Sequence, residues 1–100
     1  MSPLAARRRA PVLLAGADAN RRAVLRAEFG AKLSRRTTFL QADDVSEVLE
    51  RAPSSRMVIL AGRLDDADAD ATMRLLGARH PRLPVICVEE PMPVAAGGRG

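Results

Sequence analysis

Short apolar runs alternate with segments of helical periodicity along most of this chain. Val12 to Ala15 is a continuous apolar run, as expected of a strand buried on both faces of a parallel sheet. Gly16 to Ala19 reads as a loop, with Asp18 or Asn20 placed to cap a helix. Over Arg21–Phe29 the apolar stripe is Leu25 and Phe29, four residues apart, and Arg21, Arg22, Arg26 and Glu28 suit the wet face. Gly30 is predicted to end that helix. Thr37 to Gln41 is β-branched and aromatic enough for a second strand. Val45, Val48, Leu49 and Ala52 then recur at helical spacing until Pro53 stops them. Met57–Ala61 predicts a third strand. A helix starting near Asp68 or Asp70 places Ala69, Met73 and Leu76 on one stripe, His80-Pro81 closes it, and Pro84–Val88 predicts a fourth strand.

Strands alternating with helices of about ten residues predict right-handed βαβ units, hence an α/β fold with a four-stranded parallel sheet and helices on both faces. The expected organisation is a flexible basic arm at 1–10, one domain at 11–90, and a Pro-, Ala- and Gly-rich flexible tail at 91–100.

Composition narrows this further. The apolar fraction of 47% is that of a globular chain, but it is mostly Ala, Leu and Val, with Phe29 and Phe39 the sole aromatics. Small side chains make a core with few anchors and modest stability. The net charge of +4 and pI of about 10.9 raise nucleic acid or an acidic protein surface as partners. Arg7–Arg9 and the group Lys32, Arg35, Arg36 are the candidate basic surfaces. An Ala- and Arg-biased composition raises the pI equally well, and neither a helix-turn-helix pattern, nor zinc spacing, nor aromatic platform accompanies these arginines. Cys87 stands alone, which excludes an intrachain disulfide and fits a small buried hydrophobe. No run approaches about 18 apolar residues. Arg7-Arg8-Arg9 followed by APVLLAGA imitates a signal peptide, but Pro11 and Gly16 interrupt the run and a first strand explains it better. A cytoplasmic location is expected, with no membrane partner.

In this order the segments VLLAGADANRRAVLRAEF, QADDVSEVLERA and RLDDADADATMRLLGARHPRLPVICV resemble a bacterial response-regulator receiver domain over residues 12–89. The resemblance implies a flavodoxin-like sheet and a place in two-component signal transduction. It also implies a set of reactive groups: carboxylates after the first strand for Mg²⁺, a strand-end Asp nucleophile, a Thr or Ser after the fourth strand, and a Lys after the fifth. A hard dication and a cationic side chain offset the charge around an acyl phosphate. On this chain the carboxylate positions are Gly16 and Ala17, with Asp18 nearby; the nucleophile position is Ala61; and Glu89 stands where the hydroxyl residue belongs. The chain as given stops before a fifth strand, so the Lys has no counterpart and the domain reads as truncated after the fourth. An atypical, phosphoacceptor-less pseudo-receiver is expected, not an enzyme, with no catalytic residue and no cofactor.

Two other features invite a function. Asp65, Asp66, Asp68 and Asp70 form an acidic cluster, and Asp66, Asp68 and Asp70 match the first ligand spacings of a calcium loop. Ala71 and Gly77 replace the glycine and bidentate Glu of such a loop, so helix capping is the simpler role, no metal site is expected, and a weak divalent-metal site is the alternative. His80 has no second histidine to share a metal or catalytic role and reads as a helix end. Val85, Ile86, Cys87 and Val88 are expected at the sheet border, where an apolar edge invites pairing. The expected function is therefore phosphorylation-independent protein–protein interaction, with a protein partner or self-association as a homodimer. The alternative is a small basic nucleic-acid-associated protein.

Overall fold

A computed structural model of the chain describes residues 10–33 and 36–88. Four parallel strands, β1 (Val12–Ala15), β2 (Phe39–Ala42), β3 (Met57–Ala61) and β4 (Val85–Val88), lie in the order β2-β1-β3-β4. The helices are α1 (Ala19–Lys32), α2 (Val45–Arg51) and α3 (Ala69–Arg79), with a 3₁₀ turn at Ala52–Ser54. Strand register is continuous: Leu13 pairs with Leu40 and Val58, and Leu60 with Cys87. This is the expected flavodoxin-like α/β architecture.

The two faces of the sheet build two cores. Leu13, Ala15, Val58 and Leu60 pack with Val48 of α2 and Leu76 of α3. Val12, Leu14, Ile59 and Ala61 pack with Leu25 of α1. The period-2 alternation of side chains across each strand splits the apolar runs between these layers. β1 is wholly buried because it lies between β2 and β3 and is covered on both sides.

Local rules set the helix starts. Asp18 caps α1, accepting from the Asn20 and Arg21 amides at 2.9 and 3.2 Å. Asp44 caps α2 through the Glu47 amide at 2.8 Å, and Asp68 caps α3 through the Ala71 amide at 2.7 Å.

Two sequence expectations are corrected. Gly30 does not end α1, which continues to Lys32. Two further residues of helix carry Leu33 onto the core with Phe29 and Phe39, and this apolar contact outweighs the ~1 kcal/mol that an interior glycine costs. The α-helix before Pro53 does end there as expected, α2 stopping at Arg51 and Pro53 sitting in the 3₁₀ turn that follows. The buried stripe of α3 is Thr72 and Leu76, with Ala69 at its edge, whereas Met73 is 38% exposed. Thr72 tolerates burial because its hydroxyl donates to the Asp68 carbonyl at 2.9 Å. The strands also shift slightly: β2 begins at Phe39 and β4 at Val85. The arm at 1–9, Arg35, Glu89 and the tail at 91–100 lie outside the described residues, as does any test of their expected flexibility.

Candidate functional site

In an open parallel sheet a ligand crevice forms outside the carboxyl ends of the strands, where successive connections leave in opposite directions. Here that point falls between β1 and β3, since β1 connects outward to β2 and the chain then crosses back to β3. The residues at this point are Gly16 and Ala17 after β1, and Ala61 and Gly62 at the end of β3.

The crevice is closed by backbone. A Cβ placed on Gly16 meets the Ala61 carbonyl oxygen at 2.7 Å and the Ala61 Cβ at 3.1 Å. The Gly16 amide donates to the Ala42 carbonyl and the Ala17 amide to the Arg63 carbonyl, each at 2.9 Å. Ala61 is 1% exposed and its methyl belongs to the α1-side core. Gly62 turns the chain away with φ of 78°, a conformation that favours glycine. Arg22 donates through its guanidinium to the Gly16 carbonyl and, at 3.1 Å, to Gln41 Oε1, which ties the start of α1 to both β1 and β2. Gly16→Ala is expected to destabilise the fold by ~1–3 kcal/mol, the range of overpacking. Urea denaturation checks this, and an unchanged midpoint would show that the two strand ends part freely.

Acidic residues ring this end of the sheet, and the carboxylates of Asp18, Asp44, Asp66 and Asp68 accept from backbone amides. The loop after β3 is anchored by Leu64, fully buried, an inward residue that the run of aspartates around it hides in the sequence. Asp65 donates its amide to the Asp43 carbonyl at 2.9 Å, and Asp66 accepts from the Val45 amide at 3.0 Å. Asp66 therefore joins the start of α2 to the β3–α3 loop, and Asp68 caps α3. Among the described residues Asp66, Asp68 and Asp70 do not gather into a ligand group. The acidic trio that does gather is Asp43, Asp44 and Glu47, half-buried, each with an oxygen within 4.8 Å of the others. Sequence reasoning passed over it, although D-D-x-x-E before an apolar run is a capping-box signal. Asp44 spends an oxygen on the Glu47 amide, and Glu47 is paired with Arg51 at 2.8 Å. The trio is thus part of a helix start, with Glu47 paired to an arginine.

The predicted edge lies where expected. β4 pairs with β3 on one side and with no other described strand, and Ile86 is 40% exposed. Cys87 is a half-buried free thiol packed against the α2/α3-side core. Lys32 ends α1 and Arg36 lies exposed in the turn before β2, while Arg7–Arg9 fall outside the described residues. His80 caps α3, its amide donating to the Leu76 carbonyl at 2.7 Å.

Comparison with known proteins agrees with this geometry at the level of fold. No family model matches the chain, and no curated protein matches it. The solved structure of a response regulator receiver protein from Pseudomonas putida is similar, with a TM-score of 0.64 and 21% identity over 87% of this chain and 74% of that one. The chain has a receiver-like, flavodoxin-like fold. Among the described residues no helix is long and apolar enough to cross a membrane.

Proposed function

We propose that the chain is a pseudo-receiver: a non-catalytic signalling domain that acts by phosphorylation-independent protein–protein contact. The observation that carries this is the buried Ala61 facing Gly16 at the switch point. A methyl group accepts no phosphoryl group, and the 2.7 Å approach leaves no room for a side chain at position 16, where the receiver pattern has a carboxylate. With Ala17 beside it, neither nucleophile nor metal cage stands at the crevice. The fold without its reactive groups acts through its surface.

The surface that fits such contact is β4. Val85–Val88 carries no charge, exposes Ile86, and has a backbone edge facing away from β3. Strand addition at this edge pairs backbone groups that no other described strand takes up, and a second copy of the chain is the occupant that needs no further partner. Glu89, in the position of the hydroxyl residue, lies outside the described residues and enters only through its identity.

Two measurements on one sample test the reading. Incubation with acetyl phosphate and Mg²⁺ is expected to leave the intact mass unchanged, and a stoichiometric phosphoryl adduct on an aspartate removes the non-catalytic claim. Amide exchange at Val85–Val88 over a dilution series is expected to slow as protein concentration rises. Strong protection at every concentration in a demonstrated monomer removes the edge as the contact surface.

A further inference from the structure

At the opposite end of the sheet, away from the switch point, a cavity of about 610 Å³ opens between the 3₁₀ turn and the turn joining α3 to β4. Its wall divides into two chemistries. Ala52, Pro53, Pro81 and Leu83 are apolar, while Ser54, Ser55, Arg79, His80 and Arg82 are polar or basic. Among the described residues no acidic one lines it. Arg79 and Arg82 are exposed and make no salt bridge among the described residues, whose one such pair is Arg51–Glu47. Ser55 donates to the Arg51 carbonyl at 2.8 Å, so its hydroxyl is held by the turn. Among the described residues the Ser54 hydroxyl has no hydrogen-bond partner.

The charge around the cavity is set by the fold. Helices α2 and α3 run antiparallel to the strands, so their capped starts, with Asp44, Glu47, Asp66, Asp68 and Asp70, collect at the switch-point end. Their C-terminal ends converge on the cavity with Arg79, His80 and Arg82. Two helix ends bring a partial negative charge of roughly one half each, which two full guanidinium charges exceed. The net field in the cavity is positive, and the guanidinium fork matches a phosphate better than a point cation does. The volume falls within the range of small-ligand sites, about 300–1,000 Å³.

We infer that this cavity binds a small phosphomonoester, with Arg79 and Arg82 holding the phosphate, Ser54 donating to it, and the Pro53/Pro81/Leu83 wall receiving the ligand's apolar body. The inference does not rest on the pseudo-receiver reading, since the cavity and the switch point lie at opposite ends of the strands.

His80 is the only histidine of the chain and lines the cavity, so its imidazole signals in NMR spectra report occupancy without any label placed by design. Adenosine monophosphate is the probe, titrated at constant pH and ionic strength. A saturable shift of the His80 signals is expected, with no comparable shift from adenosine at equal concentration. Arg79→Ala with Arg82→Ala is expected to weaken binding at least about tenfold, the scale of losing a charge-assisted hydrogen bond. Both side chains are exposed, so the variant keeps its thermal midpoint. Arg26→Ala with Arg74→Ala removes equal charge elsewhere and is expected to leave binding within about twofold. A shift that never saturates, one matched by adenosine, or one that survives the Arg79/Arg82 change overturns the inference.

Discussion

Ala61→Asp, which places a carboxylate at the strand end, is expected to destabilise the fold by about 3–5 kcal/mol at pH 7 without making it a phosphoacceptor. The methyl of Ala61 is buried among Val12, Leu14, Leu25 and Ile59. The Arg22 guanidinium, which reaches the crevice, is already bonded to Gly16 and Gln41. An aspartate placed there loses hydration and gains no cation, so its folded-state pKa rises above the unfolded value near 4. The folded state then holds the proton more tightly than the unfolded state. The cost is small below pH ~4 and grows as pH rises toward the folded pKa, the reverse of the usual paired carboxylate. Ala61→Asn has nearly the same size and no charge, so its cost stays flat across that window. Urea unfolding of both variants at pH 4.5 and 7.5 separates the two effects. Equal cost for Asp and Asn at both pH values would mean that the strand end is open to water, and the closed-crevice argument would fail. Intact mass after acetyl phosphate is expected to remain that of the unmodified variant, because Gly16 and Ala17 still supply no metal ligands.

Much of this architecture was legible because strand and cap signals are local. The run MVILA forms β3 with its predicted bounds, and Asp18 and Asp68 cap the helices that follow them. The expectation of four strands put β4 at the border, and Gly16 and Ala61 meet where the strand connections reverse direction. What sequence alone did not show depends on tertiary packing. The approach of Gly16 to the Ala61 carbonyl is a distance between two strands, and no pattern along either strand encodes it. Leu64 was hidden because a single apolar residue inside an acidic loop has no period. Gly30 misled because its propensity as a helix stop yielded to the contact of Leu33 with the core. Asp66 was read as a cap for the helix after it, yet it bonds to the Val45 amide of the helix before it in sequence. That partner lies 21 residues away, beyond any local rule.

The stripe of α3 gives the sharpest test of packing over pattern. Leu76→Ala is expected to cost ~2–5 kcal/mol, and Met73→Ala no more than about 0.5 kcal/mol. Both residues carry large apolar side chains on one helix, three positions apart, and hydrophobic periodicity treats them as equals. In the fold Leu76 is fully buried against the layer of Leu13, Val58 and Leu60, and Met73 is 38% exposed. Removing the Leu76 side chain forfeits its transfer energy and leaves a cavity beneath the helix, where the remaining buried contact is Thr72. The helix also carries Arg79 and His80 at its end, so loosening it disturbs the basic cavity while the switch point, held by β1 and β3, stays closed. Denaturation of the two variants at equal protein concentration measures the contrast. Hydrogen exchange then locates it, with α3 amides accelerated in Leu76→Ala well beyond those of β1. Similar costs for the two substitutions would mean that α3 sits rotated toward the Met73 face, as its sequence period alone suggests.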